Sequence, residues 1–189
     1  MPYHCTNELR VTGPKEDLDQ FRSDAATSKR AWDPEDTATE PQPCLLNFEP
    51  GSPYPKEGED GFELRGKNDK WFDWRVANWG TKWNAYYVTT NVTDMGVTYN
   101  FTTAWSPPLE WLMAVTERYP TLKFMLAYFE SGHNFCGVRV VANGNTILNH
   151  EDDAYSQEGM RDDSDWFDRQ EENFWDDAEY LAKREGMSF

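Results

Sequence analysis

The sequence predicts an α+β fold: an antiparallel βαββαβ sheet with its helices on one face, extended by a C-terminal hairpin and an acidic C-terminal helix. Three observations lead there. Short runs rich in β-branched and aromatic residues alternate with two amphipathic stretches in the order strand, helix, strand, strand, helix, strand. Aromatic residues make up 15 % of the chain, nine of them Trp, so large rings can build a core although only 38 % of residues are hydrophobic. A third amphipathic stretch, crowded with acids, follows the last strand.

Residues 5–12 alternate loosely and stop at Gly13-Pro14, a strand closed by a turn. Pro14 suits the first turn of a helix, and Leu18, Phe21 and Ala25 follow at helical spacing. Residues 29–70 then change character, with six Pro and four Gly, and only residues 44–48 read as strand. This is an excursion pinned to the body at one or two points. Residues 71–79 predict a short helix stopped by Gly80. Residues 86–91 and 97–104 form a hairpin about Thr93-Asp94-Met95-Gly96. Ser106-Pro107-Pro108 opens a helix capped by Ser106, with Leu109, Leu112, Met113 and Thr116 on its inner face and Tyr119-Pro120 as its stop. Strands at 122–130 and 135–141 follow, and a third at 146–149 comes after Asn143-Gly144. That order is the ferredoxin-like pattern. Residues 1–150 thus form one ferredoxin-like domain with an excursion at about 29–70.

Residues 151–189 form an acidic helical tail packed on that domain. They hold 14 acids against four bases, which accounts for −10 of the net charge of −16. Within them Phe167, Phe174, Ala178 and Leu181 recur at helical spacing, widened by Trp175 and Ala182, so a helix over 164–185 docks its rings on the body and ends at Gly186. On its other side Asp165, Asp168, Glu172, Asp176 and Glu179 step by three or four residues into one ridge. A ridge of negative charge at several-ångström spacing can imitate a nucleic-acid backbone, which carries a charge about every 3.4 Å per strand. The alternative is an ordinary solvated helix face.

The same charge disfavours direct nucleic-acid binding, which needs Lys and Arg against phosphate. It leaves a solvated acidic surface or a basic partner. Cys5, Cys44 and Cys136 are widely spaced and odd in number, and the three His are not at zinc spacing, so free thiols and no metal or other cofactor are expected. No signal peptide and no membrane-length apolar run is readable, which points to the cytoplasm.

Several short motifs invite chemistry. Asn78-Trp79-Gly80-Thr81-Lys82-Trp83 places two rings and an amine beside a Gly turn, either as a ligand site through Asn78, Trp79, Lys82 and Trp83 or as a turn whose Trp rings anchor in the core. His150-Glu151-Asp152-Asp153 offers metal-ligand types, but adjacent residues seldom converge on one ion. Glu130-Ser131-Gly132-His133 with Cys136 has the residue types of a nucleophilic site, though Gly132 marks a hairpin turn and Cys136 lies in an apolar strand. No phosphate loop and no HExxH motif is present.

Three segments carry a family resemblance. Residues 5–13 (CTNELRVTG), 78–85 (NWGTKWNA) and 101–108 (FTTAWSPP) resemble, in the same order, the N-terminal strand, the most distinctive motif and the strand-to-helix junction of the YubB-like ferredoxin-like proteins of phages and conjugative plasmids. The resemblance spans the chain to about residue 141. It implies a ferredoxin-like topology without an iron–sulfur cluster and a mobile-element origin, and it brings no assigned catalytic residues to carry over. The expectation is then a non-enzymatic phage or plasmid interaction protein that occupies the nucleic-acid-binding surface of a basic host protein, such as a defence protein, in the host cytoplasm. Two rivals remain: a small enzyme whose site is assembled from scattered residues, which a pocket holding Lys82 with Glu or Asp neighbours would favour, and a single-strand nucleic-acid binder using an open sheet face, which would need exposed rings flanked by Lys or Arg.

Overall fold

The computed structural model describes residues 3–30, 43–53, 70–152 and 164–187. Strand β1 (His4–Thr12) leads into helix α1 (Lys15–Ala25), followed by the short strands β2 (Thr27–Arg30) and β3 (Pro43–Cys44). Helix α2 (Lys70–Trp79) precedes the hairpin of β4 (Tyr86–Val92) and β5 (Gly96–Ala104). Helix α3 (Leu109–Arg118), strands β6 (Lys123–Glu130), β7 (Phe135–Ala142) and β8 (Asn145–Asp152), and helix α4 (Ser164–Arg184) complete the order. Six strands form one sheet in the order β4-β5-β1-β6-β7-β8, antiparallel throughout, and β2 pairs with β3 in a separate ribbon. The four strands β4-β5-β1-β6 with α1 and α3 as crossovers are the ferredoxin-like arrangement, and β7-β8 is the added hairpin.

The larger core lies on the face covered by α1 and α3. There Leu9, Val11, Tyr99, Phe101, Phe124 and Leu126 from the sheet meet Leu18 and Phe21 of α1 and Trp111, Leu112 and Val115 of α3. Its rings meet edge-on, as their quadrupoles favour: Phe21 lies 5.4 Å from Phe124 and Phe48 lies 5.8 Å from Trp79. The opposite face is covered by α4 over Met125, Ala127, Val138 and Val140. No helix among the described residues is long and apolar enough to cross a membrane.

Local expectations fail in three places. Ser106 does not cap α3, whose N-cap is Pro108. With two prolines following it, Ser106 lies two residues too early, and its hydroxyl donates instead to the Gly80 carbonyl at 2.6 Å. The buried face of α3 is set by Trp111, Leu112, Val115 and Thr116, whereas Leu109 and Met113 are only partly buried. The strand read at 44–48 pairs only through Cys44, while Leu46 and Phe48 enter the core as side chains from a turn. That turn is tied by Asn84, whose Oδ1 accepts from the Phe48 amide at 3.0 Å and whose Nδ2 donates to Asn47 at 2.6 Å. The excursion at 31–42 and 54–69 lies outside the described residues.

Gly137, in the middle of β7, tests the packing. A Cβ there would sit 2.4 Å from the Tyr128 hydroxyl and 2.8 Å from the His150 carbonyl. Gly137→Ala is expected to destabilise the fold by about 1–3 kcal/mol, the usual cost of overpacking, as a lowered urea midpoint with unchanged slope. An unchanged midpoint would mean that β7 and β8 pack less tightly than described.

Candidate functional site

Helix α4 spans the five positions read as an acidic ridge, and its C-terminal half is seated on the sheet. Ala178, Ala182 and Met187 are fully buried against the sheet, with Phe174, Trp175, Leu148 and Leu181 packed around them. The helix ends in a Schellman turn. Met187 N–H donates to Ala182 and Gly186 N–H to Lys183, both at 3.0 Å, with Gly186 at φ +73°. Lys123 of β6 donates its ammonium to the Glu185 carbonyl, a cation placed at the negative end of the helix dipole.

Of the five ridge residues, the side chains of Asp165, Asp168 and Glu172 lie outside the described part of α4. Asp176 is exposed, as is its neighbour Asp177. Glu179 departs from the expected free acid. It accepts from Lys183 at 2.5 Å and lies 4.0 Å from Arg10 of β1, and the Lys183 ammonium holds its carboxyl below the ordinary glutamate range. The C-terminal end of the ridge is therefore locally neutralised. Spacing along a helix shows which acids share a face, but not which bases on a neighbouring strand reach them.

Beside α4, no described helix lies over the same sheet face. Register puts Glu8 and Arg10 of β1 on the face of Ala127 and Met125, and Asn100 and Thr98 of β5 beside them. They line a groove of about 600 Å³ with Asn91, Glu179, Lys183 and Met187. Arg10 Nε donates to Glu8 at 2.6 Å. Among the described residues no ring lines this groove, and exposed aromatics are what a single-strand binder needs.

The Asn78–Trp83 motif sits elsewhere, where α2 meets the end of β5. Its residues separate by role. Trp79 is fully buried and donates its indole N–H to Ser52 at 3.0 Å, and Asn78 donates to the Trp74 carbonyl at 2.8 Å. Gly80, at φ +82°, turns the chain where a Cβ would meet the Leu109 amide and Pro107 carbonyl at 3.0 Å. Trp83 is not a core anchor; it is partly exposed and lies 6.5 Å from Tyr86. Lys82 lies with its ammonium 4.5 Å from the Trp105 ring, 4.9 Å from Trp83 and 5.9 Å from Phe72. The motif reading missed Phe72 and Trp105. Trp105 reaches this position only through a left-handed backbone, φ +72°, which no local pattern of residues announces.

The Glu130–Cys136 segment has a structural explanation, while Asp153 of the His150–Asp153 motif lies outside the described residues. Glu130 is 1 % exposed and accepts from the Gly132 and His133 amides at 2.9 and 2.5 Å, closing the β6–β7 turn, while His133 Nδ1 lies 3.0 Å away. Cys136 pairs with Phe129 and faces α4, so it projects from the sheet face opposite to Glu130. Cys5, Cys44 and Cys136 are buried free thiols, and burial pushes those of Cys5 and Cys44 above the ordinary range, away from nucleophilic use. No group of acids, His and Cys that could hold a metal occurs among the described residues.

Comparisons with known proteins fit this architecture. Residues 82–172 match the family model of the ferredoxin-like domain in Api92-like protein. That stretch opens at Lys82 and so leaves out β1, the strand at the centre of the sheet. The crystal structure of protein api92 from Yersinia pseudotuberculosis superposes with a TM-score of 0.61 at 10 % sequence identity, over 85 % of this chain and 100 % of that one. No curated protein matches the chain. The fold is thus ferredoxin-like.

The Glu179 contacts give a titration test. A carboxyl held low by a folded-state partner contributes stability above its unfolded value and loses it as pH falls through the folded value. Followed by carboxyl NMR, Glu179 is expected to titrate below an ordinary glutamate, and Lys183→Ala to raise its midpoint. A midpoint indifferent to Lys183→Ala would leave Glu179 as a free member of the ridge.

Proposed function

We propose that the protein is a non-enzymatic interaction protein that engages the basic, nucleic-acid-binding surface of another protein through the acidic outer side of α4. The observation that carries this reading is the seating of α4. Its apolar side is consumed against Met125, Ala127, Val138 and Val140, so acids on the opposite side of the helix, Asp176 and Asp177 among them, are borne on a fixed support. Fixed charges attract without first paying the entropy of ordering a loose tail. The pairing of Glu179 with Lys183 favours a centre of attraction N-terminal to it, around Asp176 and Asp177. The resemblance to YubB-like proteins of phages and plasmids favours a host protein as the target, a defence protein among them, encountered in the host cytoplasm. Direct nucleic-acid binding is disfavoured by the net charge of −16 and by a groove whose described lining residues include no ring. The enzyme alternative loses its clearest nucleophile, since Cys136 and Glu130 lie on opposite sheet faces.

The test is capture from nuclease-treated host extract, followed by titration with the purified partner. Changing Asp165, Asp168, Glu172, Asp176 and Glu179 together to Asn or Gln is expected to weaken binding about fivefold or more. This takes exposed pairs at roughly 0.2–1 kcal/mol each. Within the set, Asp176→Asn should weaken binding more than Glu179→Gln. Added salt should weaken it too, since exposed charges are screened over about 10 Å at 0.1 M, and DNA or RNA should compete. A partner indifferent to salt, to nucleic acid and to the five changes would overturn the proposal.

A further inference from the structure

The ring cluster around Lys82 is not used by the acidic helix, and its construction asks for an explanation. Three rings from three places in the chain surround one ammonium: Phe72 from α2, Trp83 from the loop after it, and Trp105 from the end of β5. Phe72 and Trp105 stand 5.9 Å apart with planes at 73°, so they form adjoining walls of an enclosure and not a stack. All four side chains are partly exposed, so the enclosure has a mouth to solvent.

Two features set it apart from incidental packing. The first is the backbone of Trp105, at φ +72°, a region that bulky residues enter only when the surroundings over-determine it. The surroundings do so. Trp105 N–H donates to the Tyr3 carbonyl at 2.9 Å, and Thr81 Oγ1 donates to the Ala104 carbonyl at 2.9 Å. Thr103 Oγ1 donates to the Ser106 carbonyl at 2.8 Å, and Ser106 Oγ to the Gly80 carbonyl at 2.6 Å. These bonds fasten the residues on both sides of Trp105 and direct its ring over Lys82. The second feature is the company Lys82 keeps. The chain has 34 acids for 18 Lys and Arg, yet the interactions of Lys82 among the described residues are with rings.

A ring set that holds one cation is built to hold cations, because the negative ring faces attract any ammonium or guanidinium that enters. We propose that Phe72, Trp83 and Trp105 form an aromatic cage for a cationic side chain of a basic partner, and that Lys82 is its resident occupant in the free protein. The partner's basic character rests on the functional reading above; the cage itself rests on its own geometry. Lys82 reaches the cage on a flexible four-carbon stem, so it can withdraw when a better cation arrives. The acidic helix would then bring a basic surface to the protein, and the cage would select one side chain on it. An occupied cage lowers the apparent affinity for any incoming cation by the fraction of molecules in which Lys82 fills it.

The test uses the full chain and two small probes, choline and the amide of acetyl-trimethyl-lysine, followed by the indole N–H signals of Trp83 and Trp105 in NMR. Lys82→Ala empties the cage and is expected to bind both probes about tenfold more tightly than the parent, the size of the occupancy penalty for a cage filled ~90 % of the time. Lys82→Arg keeps the cage filled and should bind as weakly as the parent. Adding Phe72→Leu to Lys82→Ala should remove most of the gain, with thermal unfolding as the check that the fold survives. Equal binding by the parent and Lys82→Ala, or none by Lys82→Ala in a folded protein, would overturn the cage. So would phosphate binding by the parent that Lys82→Ala abolishes, since Lys82 would then be an anion-binding group. The five-residue neutralised variant retains the cage, so combining it with Lys82→Ala should leave choline binding intact. The cage and the acidic helix can therefore fail separately.

Discussion

From Phe124 to Glu130 every residue of β6 is buried, so both faces of this strand need cover. One face receives α1 and α3, as the ferredoxin-like order requires. The other would expose Met125 and Ala127, continued by Val138 and Val140 of β7. Helix α4 answers that demand with Ala178 and Ala182, residues small enough to let the helix come close to the sheet. At roughly 25 cal/mol per Å² of apolar surface removed from water, this burial gives the acidic segment its place. The acids could not hold it there, since like charges on neighbouring helical positions repel by a few tenths of a kcal/mol per pair. Hydrophobic burial therefore decides where the charge is displayed.

The boundary of that apolar patch also determines where α4 stops. Along β1 the α4-side residues are Thr6, Glu8, Arg10 and Thr12, and along β5 they are Thr98, Asn100 and Thr102. These gain nothing from an apolar cover, and α4 stops beside them with Glu179 turned toward Arg10. The result is a sheet face divided into a dry half under the helix and a polar groove beside it. At the far end of the strands a separate network of Thr81, Thr103 and Ser106 fixes the turn that carries Trp105. The acidic helix and the ring cluster are thus set by different forces, burial in one case and directed hydrogen bonds in the other.

Much of this was legible in the sequence because it is periodic. Leu18, Phe21 and Ala25, the alternation through β1 and β5, and the Ala178–Ala182 stripe follow spacings that map directly onto faces. The uninterrupted apolar run of residues 124–129 also carried a signal, since a strand without polar alternation needs cover on both sides. What was not legible depends on contacts between distant segments. Glu179 reads as one more acid on a ridge until β1 brings Arg10 to it and Lys183 folds back. Ser106 reads as a helix cap until Gly80, 26 residues earlier, offers it a carbonyl. Phe72 and Trp105 lie 33 positions apart, and only the strained Trp105 backbone joins them around Lys82. In each case the chemistry of the residue was clear and its partner was not.

The central claim is that the acidic helix is a fixed layer of the fold, held by apolar burial. Native-state amide hydrogen exchange tests it most directly, because it reports the free energy of opening element by element. The account predicts that the amides of Ala178 to Lys183 are strongly protected and open together with those of β6 and β7. Exchange of those helical amides near the rate of an unstructured chain, while β1, β5 and β6 stay protected, would contradict it.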